Sequence, residues 1–280
     1  MKRFVIAVAV LLCAAATGSA QDIPLSKILI EGEGWKVAAK GLAKVKVLAG
    51  QPDGTVLLDQ KGGPTTYLKP DGTLGKRMPQ GDGDPRATVP VMTGDILAGV
   101  MTTPAKKGQQ ANAYYIPDDS KQVLLRSEEL NSWKEPIPLK LNGITSPRSL
   151  ALWPDESHLV IGESDGAWLW AFRIDTKGGG LLGTGDRYYS LRIKPGEKAS
   201  NVTGMVMDAG NLLYAATPLG VQVFDPTGRL SGVILPPAKE EMTAITIGGE
   251  KGDTLFVAAG DKVYSRKIQG KAAYTLKKDK

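Results

Sequence analysis

Few residues in this chain are equipped for acid, base or nucleophilic chemistry. His158 is its only histidine and Cys13 its only cysteine. His158 stands in PDESHLV, expected to be a hairpin turn at the outer end of a strand. No acid or nucleophile is spaced to orient it, so it reads as an exposed turn residue rather than the buried imidazole of a Ser–His–Asp relay. Asp59 in LLDQ and Glu163 in VIGES end apolar runs expected to be inner strands. Two such carboxylates could share general acid and base duties. They could equally bond backbone amides or pair with Arg148, which is the simpler reading. GGGLLGTGD (Gly178–Asp186) imitates a phosphate loop. It follows a hairpin strand and lacks the lysine and helix that such a loop needs, so it reads as a flexible turn. Of the five tryptophans, Trp168 and Trp170 alternate within one strand and read as packing. Trp35, Trp133 and Trp153 fall near strand ends or loops, where an aromatic ring can serve either packing or ligand recognition.

The bulk composition narrows the classes further. The opening MKRFVIAVAVLLCAAATGSAQD has a short basic start, an apolar run and a small-residue exit. It is expected to be a secretory signal over residues 1–20, cut after Ala20. A membrane anchor would need about 20 apolar residues. A lipoprotein site at Cys13 would want a small residue where Leu12 stands. The protein is therefore expected to be secreted or periplasmic, with no membrane partner after cleavage. Loss of Cys13 with the signal would leave no disulfide, no thiol nucleophile and no thiolate zinc site. Residues 21–280 suffice for one domain with a full core, expected to be a monomer. The net charge of +6 is spread along the chain apart from a KKDK tail. Without clustered Lys and Arg interleaved with aromatics, nucleic acid is not an expected partner.

The elements that must position these residues recur. Strand–turn–strand units appear at Thr65–Lys76, Ala111–Leu125, Trp168–Leu182, Gly220–Leu235 and Asp261–Leu276. Their turns use Asp, Gly, Pro and Lys, and Gly supplies positive φ where a hairpin needs it. About 15 residues before each lies a second, more apolar hairpin, as in VKVLAGQPDGTVLLD and GMVMDAGNLLYAA. Two hairpins in series make a four-stranded antiparallel unit, and repetition every 40–60 residues or so is the mark of propeller blades. No long window sustains a helical period. The expected fold is all-β, a β-propeller of four-stranded antiparallel blades with five repeats visible. Val89–Leu150 is overlong for one blade, and IPLSKILIEGEGW (Ile23–Trp35) is apolar enough to close the ring.

With the blades laid out, VTGMVMDAGNLLYAATPLGVQVFDPTGRLSGVI, SPRSLALWPDESHLVIGESDGAWLWAF and MTAITIGGEKGDTLFVAAGDKVYSRKI resemble the gluconolactonase family. That family includes senescence marker protein (regucalcin) and the luciferin-regenerating enzyme. The likeness is strong over 146–268, weak over 45–59 and poor between. It implies a six-bladed propeller, lactone hydrolysis, and a divalent cation at the channel mouth held by a glutamate, an asparagine and an aspartate. A hard cation on oxygen ligands polarises a carbonyl and acidifies a bound water. Carried over, the aspartate of the family's PDGM falls on Thr203 in Val202-Thr203-Gly204-Met205. The asparagine of SPNG falls on Arg148 in Ser146-Pro147-Arg148-Ser149, and the glutamate on Val45 or Lys46. Leu130-Asn131-Ser132-Trp133 is a faint echo of a substrate-contacting block. Asn201-Val202-Thr203, which spells a glycosylation sequon, is expected at a channel-facing strand start.

The resemblance thus implies a scaffold whose metal positions are substituted at Lys46, Arg148 and Thr203. The expectation is a binding or scaffold module without metal or other cofactor, its partner an unknown small molecule or protein at the channel face. The alternative is a lactone hydrolase with a relocated or metal-independent site at Asp59 and Glu163, or a cation such as calcium or zinc held otherwise.

Overall fold

The structure, a computed structural model, describes residues 23–61, 66–75, 96–101, 112–117, 121–129, 132–175 and 178–273. The signal-like segment lies outside them. The strands fall in five antiparallel sheets. The first blade holds β2 (Val45–Gly50), β3 (Val56–Gln60), β4 (Thr66–Leu68) and β5 (Leu74–Gly75). The second holds β6 (Ile96–Met101), β7 (Asn112–Pro117), β8 (Leu124–Glu129) and β10 (Ile137–Pro138), with the short β9 (Ser132–Trp133) also on β8. The overlong stretch is therefore one blade with an irregular edge. The third runs through β11 (Pro147–Leu152), β12 (His158–Glu163), β13 (Trp168–Ile174) and β14 (Leu181–Ser190). The fourth comprises β15 (Gly204–Met207), β16 (Leu213–Thr217), β17 (Gly220–Phe224) and β18 (Leu230–Ile234). The fifth takes β19 (Met242–Gly248), β20 (Thr254–Ala259) and β21 (Lys262–Lys267) from the C-terminal half.

Its fourth strand is β1 (Lys36–Lys40), antiparallel to β21, so the ring closes with the N-terminal segment. The closing strand is not Ile23–Trp35, as its apolar content suggested. That stretch contributes a 3-10 turn at Leu25–Lys27 and a single bridge from Leu29 to Ile268. Its apolar side chains Ile28 and Leu25 serve the core between blades four and five rather than a ladder.

Blades pack face to face around the inner strands. Tyr214, Val221 and Val223 of blade four meet Ile245, Leu255 and Val257 of blade five. Val45, Leu48 and Leu58 of blade one meet Phe256 and Ala258 on the other side of blade five. Each fully buried side chain of this size contributes roughly 1.5–3 kcal/mol of transfer free energy. β16, β17 and β20 are buried along their whole length, which explains why they lack polar alternation. At the closest approach of β2 and β19, a Cβ on Gly50 would fall on the Ile247 carbonyl oxygen. Only glycine allows that backbone contact.

Repeated aspartate turns gather at one end of the propeller. The Oδ1 atoms of Asp53, Asp71, Asp155 and Asp225 accept the backbone N–H two residues on, at 2.8–3.0 Å. These turns link strands locally and leave the opposite end, where the inner strands begin, for longer connecting segments.

Candidate functional site at the channel mouth

The inner strands β2, β6, β11 and β19 share a feature at their first turn of pairing. Register slips by one residue between Val45 and Val47, Ile96 and Ala98, Pro147 and Ser149, and Met242 and Ala244. The extra residues are Lys46, Leu97, Arg148 and Thr243. A bulge of this kind bends the strand and re-aims a side chain at a rim. In blade four, Thr203 immediately precedes β15 and completes the ring. Lys46 and Thr203 line the channel with Ser149, Met205, Ala244 and Ile245, and Arg148 is half-buried beside them. A cavity of about 50 Å³ lies between these residues.

The two threonines are engaged in holding blades together. Thr203 Oγ1 donates to the Met242 carbonyl of blade five at 2.6 Å. Thr243 Oγ1 donates in the same way to the Val45 carbonyl of blade one, also at 2.6 Å. Thr246 Oγ1, further along β19, accepts from Gly50 N at 3.0 Å. Thr243 and the bulges carry no motif of their own in the sequence. A signal existed only in the shared offset of Lys46, Arg148 and Thr243 from the start of each apolar run.

Asp59 and Glu163 lie on β3 and β12, the second strands of blades one and three, rather than on innermost strands. Blade two separates them, so they are not brought together. Glu163 is 8% exposed, and its Oε1 accepts the Thr145 backbone N–H at 2.9 Å. Its carbonyl accepts from Ser200 Oγ at 3.2 Å. Glu163 thus ties the segment before β11 to the segment before β15. Asp59 is half-buried opposite Val47. Nearby, Asp165 accepts from the Ser146 and Ser164 hydroxyls, and these bonds hold its carboxyl below the ordinary range.

Of the remaining candidates, His158 and Asn201 are placed differently from expectation, whereas Trp170 packs against the core as expected. His158 is not a turn residue: it opens β12, half-buried, with its ring 4.3 Å from that of Trp153. Its Nδ1 lies 2.7 Å from Ser157 Oγ, which also donates to Asp155. This cluster belongs to the end that carries the aspartate turns, away from the mouth. Of the glycine-rich stretch, Gly178–Gly180 turns and Leu181 onward is strand β14. Trp170 carries the Arg187 guanidinium 5.1 Å from its ring centre, and Trp35 donates its indole N–H to the Leu235 carbonyl. Asn201 sits just before β15 at φ 48°, its amide donating to Glu197 and facing a side hollow rather than the channel. Among the described residues, no group of three or more His, Cys, Asp or Glu is arranged to hold a metal ion.

Comparison with known proteins adds a lineage to this geometry. Residues 14–261 match the model of the SMP-30/Gluconolactonase/LRE-like region. A gluconolactonase of Zymomonas mobilis subsp. mobilis is 32% identical over 123 residues, 43% of this chain and 34% of that protein. The aligned part thus spans about a third of the length of that curated relative. Among solved structures, a luciferin-regenerating enzyme superposes with a TM-score of 0.61 at 12% identity, over 86% of this chain and 97% of that one. A gluconolactonase from Xanthomonas campestris gives 0.50 at 16% identity, over 83% and 75%. Regucalcin from Agrobacterium tumefaciens, a calcium-binding protein, gives 0.50 at 14% identity, over 81% and 77%. At these identities the structural likeness speaks for the fold.

Proposed function

Because the chain belongs to the SMP-30/gluconolactonase/LRE-like family, we propose that it is a gluconolactonase-type propeller, secreted or periplasmic, that works as a binding module without a divalent cation. The observation that carries this reading is the mouth ring. The positions corresponding to the family's ligands hold Lys46, Arg148 and Thr203. An ammonium and a guanidinium repel a cation and offer it no lone pair. The hydroxyl proton of Thr203 is committed to the Met242 carbonyl. This donor set does not fit calcium, magnesium or zinc, which need several oxygen or nitrogen ligands.

The match to the Zymomonas gluconolactonase favours a second reading, lactone hydrolysis at a site that does not use these positions. Calorimetric titration of the chelator-treated protein with calcium, manganese and zinc, paired with a sugar-lactone hydrolysis assay, separates the two. The binding-module reading expects no stoichiometric metal uptake and no turnover above the spontaneous rate. Metal-dependent turnover overturns it. Metal-free turnover abolished by Glu163→Ala or Asp59→Ala, with the circular dichroism unchanged, establishes the relocated hydrolase instead.

A further inference from the structure

Beside the channel, on the mouth face, lies a hollow of about 530 Å³, within the size range of ligand pockets. The segment joining β14 to β15 supplies Lys194, Glu197 and Asn201 to its lining, and the segment joining β18 to β19 supplies Lys239, Glu240 and Glu241. Its apolar lining is Pro218, Pro236, Ala238 and Met242. The charged groups are not neutralised by one another. Among the described residues, Lys194, Lys239, Glu240 and Glu241 make no ion pair within 4.0 Å, and Glu197 is held by the Asn201 amide at 2.7 Å. Opposite charges that face one hollow and stay apart leave a gap for a ligand that carries both signs.

The two bounding segments are fixed in advance. Gln222, fully buried, accepts from Arg192 N and donates to Arg192 O, both at 2.8 Å, as a neighbouring strand would. Ser200 N bonds Gly166 O, and Asn201 N bonds Ser164 O. The opposite segment is held by the Trp35 indole on the Leu235 carbonyl at 2.8 Å. Such fixing reduces the ordering cost of binding.

The lining also discriminates among ligand classes. Among the described residues no aromatic ring borders the hollow, so a sugar ring would lack its usual stacking platform. A phosphate or polyanion would meet three carboxylates, and a lipid tail would meet both signs of charge.

We propose that this hollow binds a small zwitterion of the amino-acid or dipeptide type. The ligand's ammonium lies among Glu197, Glu240 and Glu241, its carboxylate between Lys194 and Lys239, and its side chain on Pro218, Pro236 and Met242. The proposal rests on the binding reading above, but it places the ligand away from Lys46, Arg148 and Thr203, so the two fail separately.

The test is calorimetric titration of the purified protein with glycyl-leucine. N-acetylglycyl-leucine amide serves as the uncharged control and glucose as the neutral sugar. Saturable binding of glycyl-leucine is expected, at least about 10-fold tighter than the capped analogue, which corresponds to one charge-assisted contact. Lys194→Gln and Lys239→Gln, on the two different segments, should each weaken it about 10-fold. Glu197→Gln should do the same while also altering the Asn201 contact. No saturable binding, equal binding of the capped peptide, tighter binding of glucose, or indifference to both lysine substitutions overturns the proposal. The metal titration tests the channel mouth independently of all these outcomes.

Discussion

At Thr203 one hydroxyl proton decides the role of the residue. An aspartate there would present only acceptors to the Met242 carbonyl, which is itself an acceptor. The threonine donates instead and joins blade four to blade five, as Thr243 joins blade five to blade one. Thr203→Val keeps the shape and removes the donor, leaving the carbonyl short of a partner. It is expected to lower stability by about 1 kcal/mol, read as a fall in the urea midpoint at unchanged slope. Thr203→Ser should retain most of the parent value, and Thr203→Asp should lose more than Val without gaining calcium uptake. Equal midpoints for Val and Ser would remove the clasp interpretation. The residue type at this position was legible in the chain. Its hydrogen-bond partner was not, because Met242 lies 39 residues away in another blade.

At the scale of elements, the aspartate turns separate into two electrostatic kinds. Asp225 is buried, which alone would raise its pKa. The Thr227 hydroxyl and the N–H groups of Thr227 and Arg229 outweigh this and hold it below the ordinary value. Its contribution to stability is present above the unfolded carboxylate pKa and is lost as pH falls through the lower folded value. Asp208 behaves oppositely. Burial raises its pKa despite bonds from Gly210 N, Leu212 N and Tyr214 Oη. Its favourable contribution is present below the unfolded pKa and is lost as pH rises through the raised folded value. Asp208→Asn preserves the two backbone acceptor bonds and removes the charge. The variant is expected to gain in melting temperature relative to the parent at pH 7, with the gain shrinking toward pH 4. A constant difference across that range would contradict the assignment. The turn aspartates were readable from D-x-T and D-x-S spacings. The burial of Asp208 was not, since it comes from the C-terminal segment that bridges at Ala272.

For the whole molecule, closure rests on β1, a five-residue strand that completes the fifth blade. Its two faces differ sharply: Ala39 is buried with Leu42, Val45 and Val263, whereas Val37 is 54% exposed. Ala39→Asp places an unpaired charge in the seam between blades five and one and should cost about 3 kcal/mol. Val37→Asp on the same strand should change stability by less than about 0.5 kcal/mol. Thermal unfolding of the pair checks this. Similar losses in both would mean that closure does not depend on the buried face of β1.

The sequence by itself determined the all-β class, the repeated pairs of hairpins, the turn chemistry and the residue types at Lys46, Arg148 and Thr203. Alternation, glycine placement and aspartate turns act over a few residues, so their consequences are written locally. The tertiary structure decided which segment closes the ring, and it put blade two between Asp59 and Glu163. It also turned an expected surface histidine into a half-buried ring tilted against Trp153 and set charges of both signs from two connecting segments around one hollow. These outcomes depend on contacts between segments far apart in the chain, such as the Thr243 hydroxyl on the Val45 carbonyl across 198 residues. No local pattern encodes them, because each blade's inner strand takes its position from the neighbours that complete the ring.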